Sequence, residues 1–177
     1  MSKQIFLISD THFCHRAMYE RPFLREDGTS LRPFASTEEA DEAMVERWNS
    51  TVGPKDKCYH LGDVAIGKAG LSLLPRLNGD KVLIAGNHDW LWEKQLNTHF
   101  RSVRAYWKLD NFVLSHAPVH PNSIRKFDGN IHGHLHYQST LLDDGMIDPR
   151  YLCVCVEHTN YAPIAWEEVA RRFKAQN

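Results

Sequence analysis

The sequence predicts an α/β fold, and three observations carry that prediction. Short apolar runs near residues 5–8, 57–61, 82–84, 112–115 and 151–156 alternate with segments of helical spacing. Residues 103–109 and 112–115 read as antiparallel strands joined tightly at Asp110-Asn111, which disagrees with an all-parallel sheet. Several apolar runs empty directly into His, Asp or Asn, the arrangement that brings chemistry to the carboxyl edge of an open sheet.

Taken in order, the run at 5–8 reads as a buried strand ending in Ser9-Asp10-Thr11-His12. In extended chain, residues two apart point the same way, so Asp10 and His12 are expected to grip one cation together. Residues 13–36 form a long connection with Pro22, Pro33 and an Asp27-Gly28 turn, carrying Arg16, Arg21, Arg25 and Arg32 among Phe13, Tyr19, Phe23 and Phe34. Long connections often carry function. Either this one recognises substrate, arginine taking phosphate and the aromatics a base or ring, or it is a surface loop pinned by its own aromatics.

Ser36-Thr37-Glu38-Glu39 matches a capping box. The helix it opens puts Ala40, Ala43, Met44 and Trp48 on one side and ends at Gly53-Pro54. The strand at 57–61 runs into Gly62-Asp63, where glycine permits a sharp corner. A helix near 70–77 follows, with Leu71, Leu74 and Leu77 inward and Pro75 distorting it. Leu83-Ile84-Ala85-Gly86-Asn87-His88-Asp89 is a buried strand emptying into polar side chains. Taken alone, that ending reads equally as a turn capping the helical segment at 91–100. Asp89 is expected to cap that helix or to orient His88. The strand at 112–115 stops at His116. The stretch 117–129 holds His120, Asn122, Arg125 and Lys126, and Asn130-Ile131-His132-Gly133-His134-Leu135-His136 follows. A last strand spans 151–156, and Trp166, Val169, Ala170 and Phe173 mark a terminal amphipathic helix.

The 177 residues suit one domain, 1–177, and 42% hydrophobic content supplies a core. A net charge of -1 argues against tight non-specific binding to long duplex DNA. Four cysteines with no CxxC read as reduced thiols, Cys153 and Cys155 being taken to face apart. The N-terminus enters a strand directly, without a signal peptide, and no run nears the ~18 apolar residues of a membrane helix. A cytoplasmic protein with no membrane partner is expected.

Asp10, His12, Asp63, Asn87, His116, His134 and His136 form a mixed oxygen and nitrogen set, provided the strands share one sheet or two packed sheets. Such a set suits Mn, Fe, Zn or Co better than Ca, and it exceeds what one ion needs. Two ions bridged by one carboxylate would use it all.

The order DxH, GD, GNHD, a single H, then GHxH, spanning Asp10 to His136, resembles the calcineurin-like metallophosphoesterase superfamily. The resemblance implies two packed mixed β-sheets flanked by helices, a four-layer sandwich. It implies that Asp10, His12, Asp63 and His136 hold one metal, and that Asp63, Asn87, His116 and His134 hold the second. His88 matches the catalytic histidine. The implied activity is hydrolysis of phosphomonoesters or phosphodiesters by hydroxide held between two divalent ions, with His88 as general acid and Asp63 and Asn87 completing the catalytic set. Mn2+ is the first choice of metal, with Fe, Zn, Co, Ni or Mg as alternatives. The expected partner is a phosphorylated small molecule or nucleotide, or a nucleic-acid end. Arg16, Arg21, His15 and His120 are the candidate substrate contacts. Val64-Ala65-Ile66-Gly67 after Asp63 lacks the second Asp and the Arg of the Ser/Thr phosphatase branch, which argues against phosphoprotein substrates. The competing functions are a nuclease or cyclic-nucleotide phosphodiesterase with the same chemistry, and a binding scaffold that has lost catalysis.

Overall fold

The computed structural model describes residues 3–20 and 23–176, so the candidate Arg21 lies outside the described residues. In chain order the elements are β1 (Ile5–Ile8), α1 (Ala17–Glu20), α2 (Thr37–Thr51), β2 (Lys57–His60), α3 (Gly67–Leu71), β3 (Asp80–Ile84), α4 (Glu93–His99), β4 (Ser102–Arg104), β5 (Tyr106–Leu109), β6 (Phe112–Ser115), α5 (Pro121–Ile124), β7 (Gly129–His132), β8 (Tyr151–Cys153), β9 (Ile164–Ala165) and α6 (Trp166–Gln176). They build two mixed sheets. The first has the order β4-β3-β2-β1-β9, parallel from β1 to β4 with β9 antiparallel to β1. The second has the order β5-β6-β7-β8, with β5 antiparallel to β6 and the rest parallel.

Strand alternation decides the layers. Phe6, Ile8, Cys58 and Leu83 pack against Met44 and Trp48 of α2 and Leu96 of α4. Their neighbours Leu7, Tyr59, Val82 and Ile84 join Phe112, Leu114 and Ile131 in a second core between the sheets. Val169 and Phe173 of α6 enter that core, Phe173 meeting Phe112 edge-on with ring centroids 4.9 Å apart. The outer face of the second sheet is covered in part by the 117–128 connection, which contains α5. There the Val119 N–H donates to Asn130 (3.0 Å) and the Tyr151 hydroxyl donates to the Val119 carbonyl (2.6 Å).

The helix cap reads through directly. Ser36 Oγ accepts the Glu39 N–H at 3.1 Å, and Glu39 Oε2 accepts the Ala35 N–H at 2.7 Å. Other expectations need correction. The run 103–109 is two strands, β4 paired with β3 and β5 paired with β6, and the chain changes sheets at Ala105. The helix near 70–77 is α3 followed by a 3-10 turn, Leu74–Arg76, although Leu71, Leu74 and Leu77 are buried as expected. The last strand stops at Cys153, and β9 is an additional strand of only two residues. The 13–36 connection holds one turn of helix, α1, and a small hairpin closed between Leu24 and Ser30.

His60 lies within β2 and is fully buried. Its Nδ1 accepts the Gly62 N–H at 3.2 Å. Its Nε2 lies 3.0 Å from Thr11 Oγ1, whose own proton goes to the Val64 carbonyl at 2.7 Å. That pattern requires the neutral Nε2–H tautomer, and burial pushes the imidazole down to about 3. Between that value and the ordinary histidine range the unfolded chain binds the extra proton, so this contribution is full near pH 7 and falls as pH falls. From pH 7 to pH 5 it amounts to about 2 kcal/mol. Thermal denaturation at the two pH values is expected to show a smaller acid-induced drop for His60→Gln than for the wild type; equal drops would contradict this account.

Candidate metal centre

The carboxyl ends of β1, β2, β3, β6 and β7 come together where the sheets meet. A parallel bridge between Ser9 and Cys155 ties the end of β1 to the end of β8, with the Val156 N–H donating to the Ser9 carbonyl at 3.1 Å. This join brings His134 and His136 opposite Asp10 and His12. Asp10 and His12 do converge, with His12 Nε2 3.7 Å from Asp10 Oδ1, but not because the segment is extended. Both residues are left-handed, φ 59° and 49°, as are Asp63, His134 and His136. Non-glycine residues in this region carry strain of ~1–3 kcal/mol each, and such strain gathers at functional sites.

Two groups of side chains could each hold a metal ion: Asp10, His12 and His136 in one, and Asp63, His116 and His134 in the other. Asp63 Oδ2 lies between them, 3.6 Å from His12 Nε2 and 3.5 Å from His116 Nε2. Asn87 Oδ1 is 2.9 Å from His116 Nε2, and His134 Nδ1 is 3.2 Å from the same nitrogen. His88 Nε2 stands 3.9 Å from Asp63 Oδ2 at the solvent side, its side chain 43% exposed. A small cavity lined by His12, Asp63, Asn87, His88, His134 and His136 has a volume of about 120 Å³.

These donors fit cations. Asp10 Oδ1 and His12 Nε2 are buried with no hydrogen-bond partner among the described residues, which is costly unless an ion takes them. Burial pushes the His12 imidazole down to about 4, so it is neutral and able to ligate near pH 7. Burial also raises the Asp63 carboxyl, with the charges of Asp10 and Asp89 adding to that effect against His116 and the His88 N–H.

The orientations of these side chains are set by hydrogen-bonded neighbours. Asp89 neither caps the next helix nor orients His88. It is buried, and its carboxylate accepts the N–H groups of Asp63 (2.8 Å), Val64 (2.9 Å) and Gly86 (2.8 Å). The His88 N–H takes Asp63 Oδ1 at 2.9 Å, leaving Oδ2 for the site. Gly62, at φ 98°, has no room for a Cβ, which would strike Gly86 and the His116 ring. Asp10 Oδ2 receives the Ser9 hydroxyl (2.5 Å), the His134 N–H (2.8 Å) and the Cys155 thiol (3.1 Å), leaving Oδ1 open. Burial holds the Cys155 thiol well above its ordinary value, so it stays a donor. Cys153 and Cys155 do not face apart: residues two apart share a face, and their sulfurs lie 3.3 Å from each other.

Arg32 is also corrected. It is buried, 1% exposed, and takes no part in the mouth of the site. It donates to the Asp10 and Thr11 carbonyls (2.5 and 2.9 Å) and to Glu157 Oε1 (3.0 Å). The same Glu157 oxygen is 3.1 Å from His136 Nδ1, a contact that fixes the orientation of that ring. Burial alone would raise Glu157, but Arg32 and His136 hold it below the ordinary glutamate range.

Of the substrate candidates, His15 reaches the site. Its Nδ1 lies 3.2 Å from His12 Nδ1, and its ring centroid is 5.8 Å from that of His88. Arg16 is exposed beside it. His120 is not brought in: its ring caps α5, accepting the Asn122 N–H at 3.2 Å, and it lines a separate cleft with Asp148 and Arg150.

Replacing Glu157 with Gln is expected to weaken Mn2+ binding by about 10- to 100-fold in a calorimetric titration, and to lower the thermal midpoint because Arg32 loses its buried partner. Unchanged Mn2+ affinity would contradict the orienting role.

No protein-family model matches the chain. It is 34% identical over 176 residues to the uncharacterized protein MJ1445 of Methanocaldococcus jannaschii, covering 96% of this chain and 90% of that one. It is 30% identical over 116 residues to the Gene 66 protein of Mycobacterium phage L5, covering 63% of this chain and 51% of the phage protein. Among solved structures, the protein of unknown function AQ665 from Aquifex aeolicus superposes with a TM-score of 0.70 at 25% identity, over 96% of this chain and 99% of that one. A structure of an archaeal phosphodiesterase reaches a TM-score of 0.43 at 18% identity, over 86% of this chain and 82% of that one, a likeness too slight to bear on function. The extent and identity of the first match show that the chain belongs to the family of MJ1445.

Proposed function

We propose that this chain is a dinuclear metal-dependent phosphoesterase. The observation that carries the reading is the position of Asp63 Oδ2, 3.6 Å from His12 and 3.5 Å from His116, between two groups that could each hold an ion. Asp10, His12 and His136 would hold one ion, and Asn87, His116 and His134 the other, with Asp63 shared. Mn2+ is the first candidate among Mn, Fe, Zn, Co, Ni and Mg, all of which a mixed set of imidazole and oxygen donors admits. When bound, two such ions supply Lewis acidity at a phosphoryl oxygen and generate a nucleophile from water near neutral pH.

The protein's own groups do the rest. His88 is held beside the site by its backbone bond to Asp63 Oδ1, and its imidazole stands at the open rim where a leaving oxygen would emerge. It acts as the general acid for that oxygen. Asn87 shares its turn and contributes its carbonyl oxygen at His116. The substrate is a phosphorylated small molecule or nucleotide, consistent with a net charge of -1. A scaffold without catalysis would have no use for His88 at this position, and this favours the enzyme.

The test is hydrolysis of p-nitrophenyl phosphate and bis-p-nitrophenyl phosphate by metal-stripped protein reloaded with Mn2+. His88→Ala is expected to lower kcat by about 10²- to 10⁴-fold with metal content retained, and Asp63→Asn to lose metal and activity together. Full activity of the His88 variant would remove the general acid; a metal-loaded wild type silent on both esters would contradict the reading.

A further inference from the structure

The small cavity at the metal groups, about 120 Å³, is lined by His12, Asp63, Asn87, His88, His134 and His136 among others and is the natural seat of the phosphoryl group. The organic part of an ester held there would extend into whatever cleft adjoins it. A second cleft of about 340 Å³ adjoins it and shares three of its walls, Phe23, His134 and His136. His134 and His136 belong one to each metal group, so this cleft abuts both. Its other walls are Leu24, Leu31, Leu135, Tyr137 and Gln138. A separate cavity of about 660 Å³ touches only His116 among the ligand candidates.

The cleft is built, not incidental. One wall is the 23–31 hairpin, closed by Leu31 N–H to the Phe23 carbonyl (2.8 Å) and Arg25 N–H to the Thr29 carbonyl (2.8 Å). Its turn is tied by Thr29 Oγ1 to Asp27 (2.6 Å), and Arg32 anchors its far end under Asp10. The opposite wall is the 134–138 turn, closed by Gln138 N–H to the Leu135 carbonyl at 2.9 Å. On this rigid frame Phe23 and Leu24 stay 55% and 58% exposed, a cost that apolar side chains on an ordered hairpin recover by covering a ligand. The polar groups are few. Gln138 offers an amide, while the Arg25 guanidinium, outside the lining, lies 5.6 Å from the Tyr137 ring and donates from Nη2 to the Leu31 carbonyl at 3.4 Å.

We infer that this cleft seats the organic group of the substrate, and that this group is a flat ring system of about one nucleoside's size with a hydrogen-bonding edge. The inference rests on the phosphoesterase reading for the position of the phosphoryl group. Phe23 and Tyr137 supply faces for stacking, and the Gln138 amide supplies a contact for the edge.

Calorimetric titration of the Mn2+-loaded protein with adenosine 5′-monophosphate and with ribose 5-phosphate isolates the ring. The wild type is expected to favour the adenosine compound by about tenfold or more. Phe23→Ala and Tyr137→Ala should each erase most of that preference and leave ribose 5-phosphate binding unchanged. Phe23 is exposed, so its truncation leaves the core intact and serves as the control should Tyr137→Ala fail to fold. Equal affinities in the wild type, or a loss shared by both ligands in Phe23→Ala, would overturn the assignment. Hydrolysis of the two generic esters by the same preparation reports on the underlying reading separately: ring preference without hydrolysis would uphold the cleft and sink the enzyme, and hydrolysis without ring preference would do the reverse.

Discussion

The carboxylate of Asp89 holds the candidate site together. By accepting three N–H groups from the turns after β2 and β3, it welds two neighbouring strand ends into one rigid corner. Asp63 is thereby pinned through its own backbone, and the His88 N–H then fixes which carboxylate oxygen faces inward. The strained φ of Asp63, the close approach at Gly62 and the exposure of His88 all follow from that corner. A buried carboxylate with this many donors is worth far more as an organiser of backbone than as a helix cap.

A second constraint joins the two sheets. Each sheet supplies part of the ligand set, so the site exists only while the ends of β1 and β8 stay paired at Ser9 and Cys155. Arg32 and Glu157 reinforce the seam from below. The guanidinium binds the backbone of Asp10 and Thr11, and the carboxylate links it to His136. A buried ion pair of this kind adds little net stability, because desolvation offsets the attraction. Its effect here is orientation: it sets the His136 ring and roots the 23–31 hairpin in the floor of the site.

The chemistry-bearing blocks were legible because each is short, contiguous and placed at the end of an apolar run. Asp10, His12, Asp63, Asn87, His88, His116, His134 and His136 all lie at the sheet edges where the spacing put them. The buried strands β1 and β3 were equally readable from their apolar runs, the cap at Ser36 from its motif and the terminal helix from its periodicity. What stayed hidden depends on distance along the chain. Asp89 and Glu157 act on backbone and side chains that sequence order does not connect to them. Arg32 looked like a mouth residue because arginine in a loop is normally solvated, and nothing local marks it as buried. The change of sheet at Ala105 hides inside one continuous strand-like run, and β9 is too short to show a period. The left-handed backbone at Asp10 and His12 carries no glycine to announce it.

One carboxylate oxygen, Asp63 Oδ2, would stand between the two proposed ions. Electron paramagnetic resonance of the protein loaded with two equivalents of Mn2+ tests that directly. Two Mn2+ per chain with an exchange-coupled signal, and loss of that coupling in Asp63→Asn, is the predicted result. A single bound ion, or two ions giving only uncoupled mononuclear signals in the wild type, would contradict it.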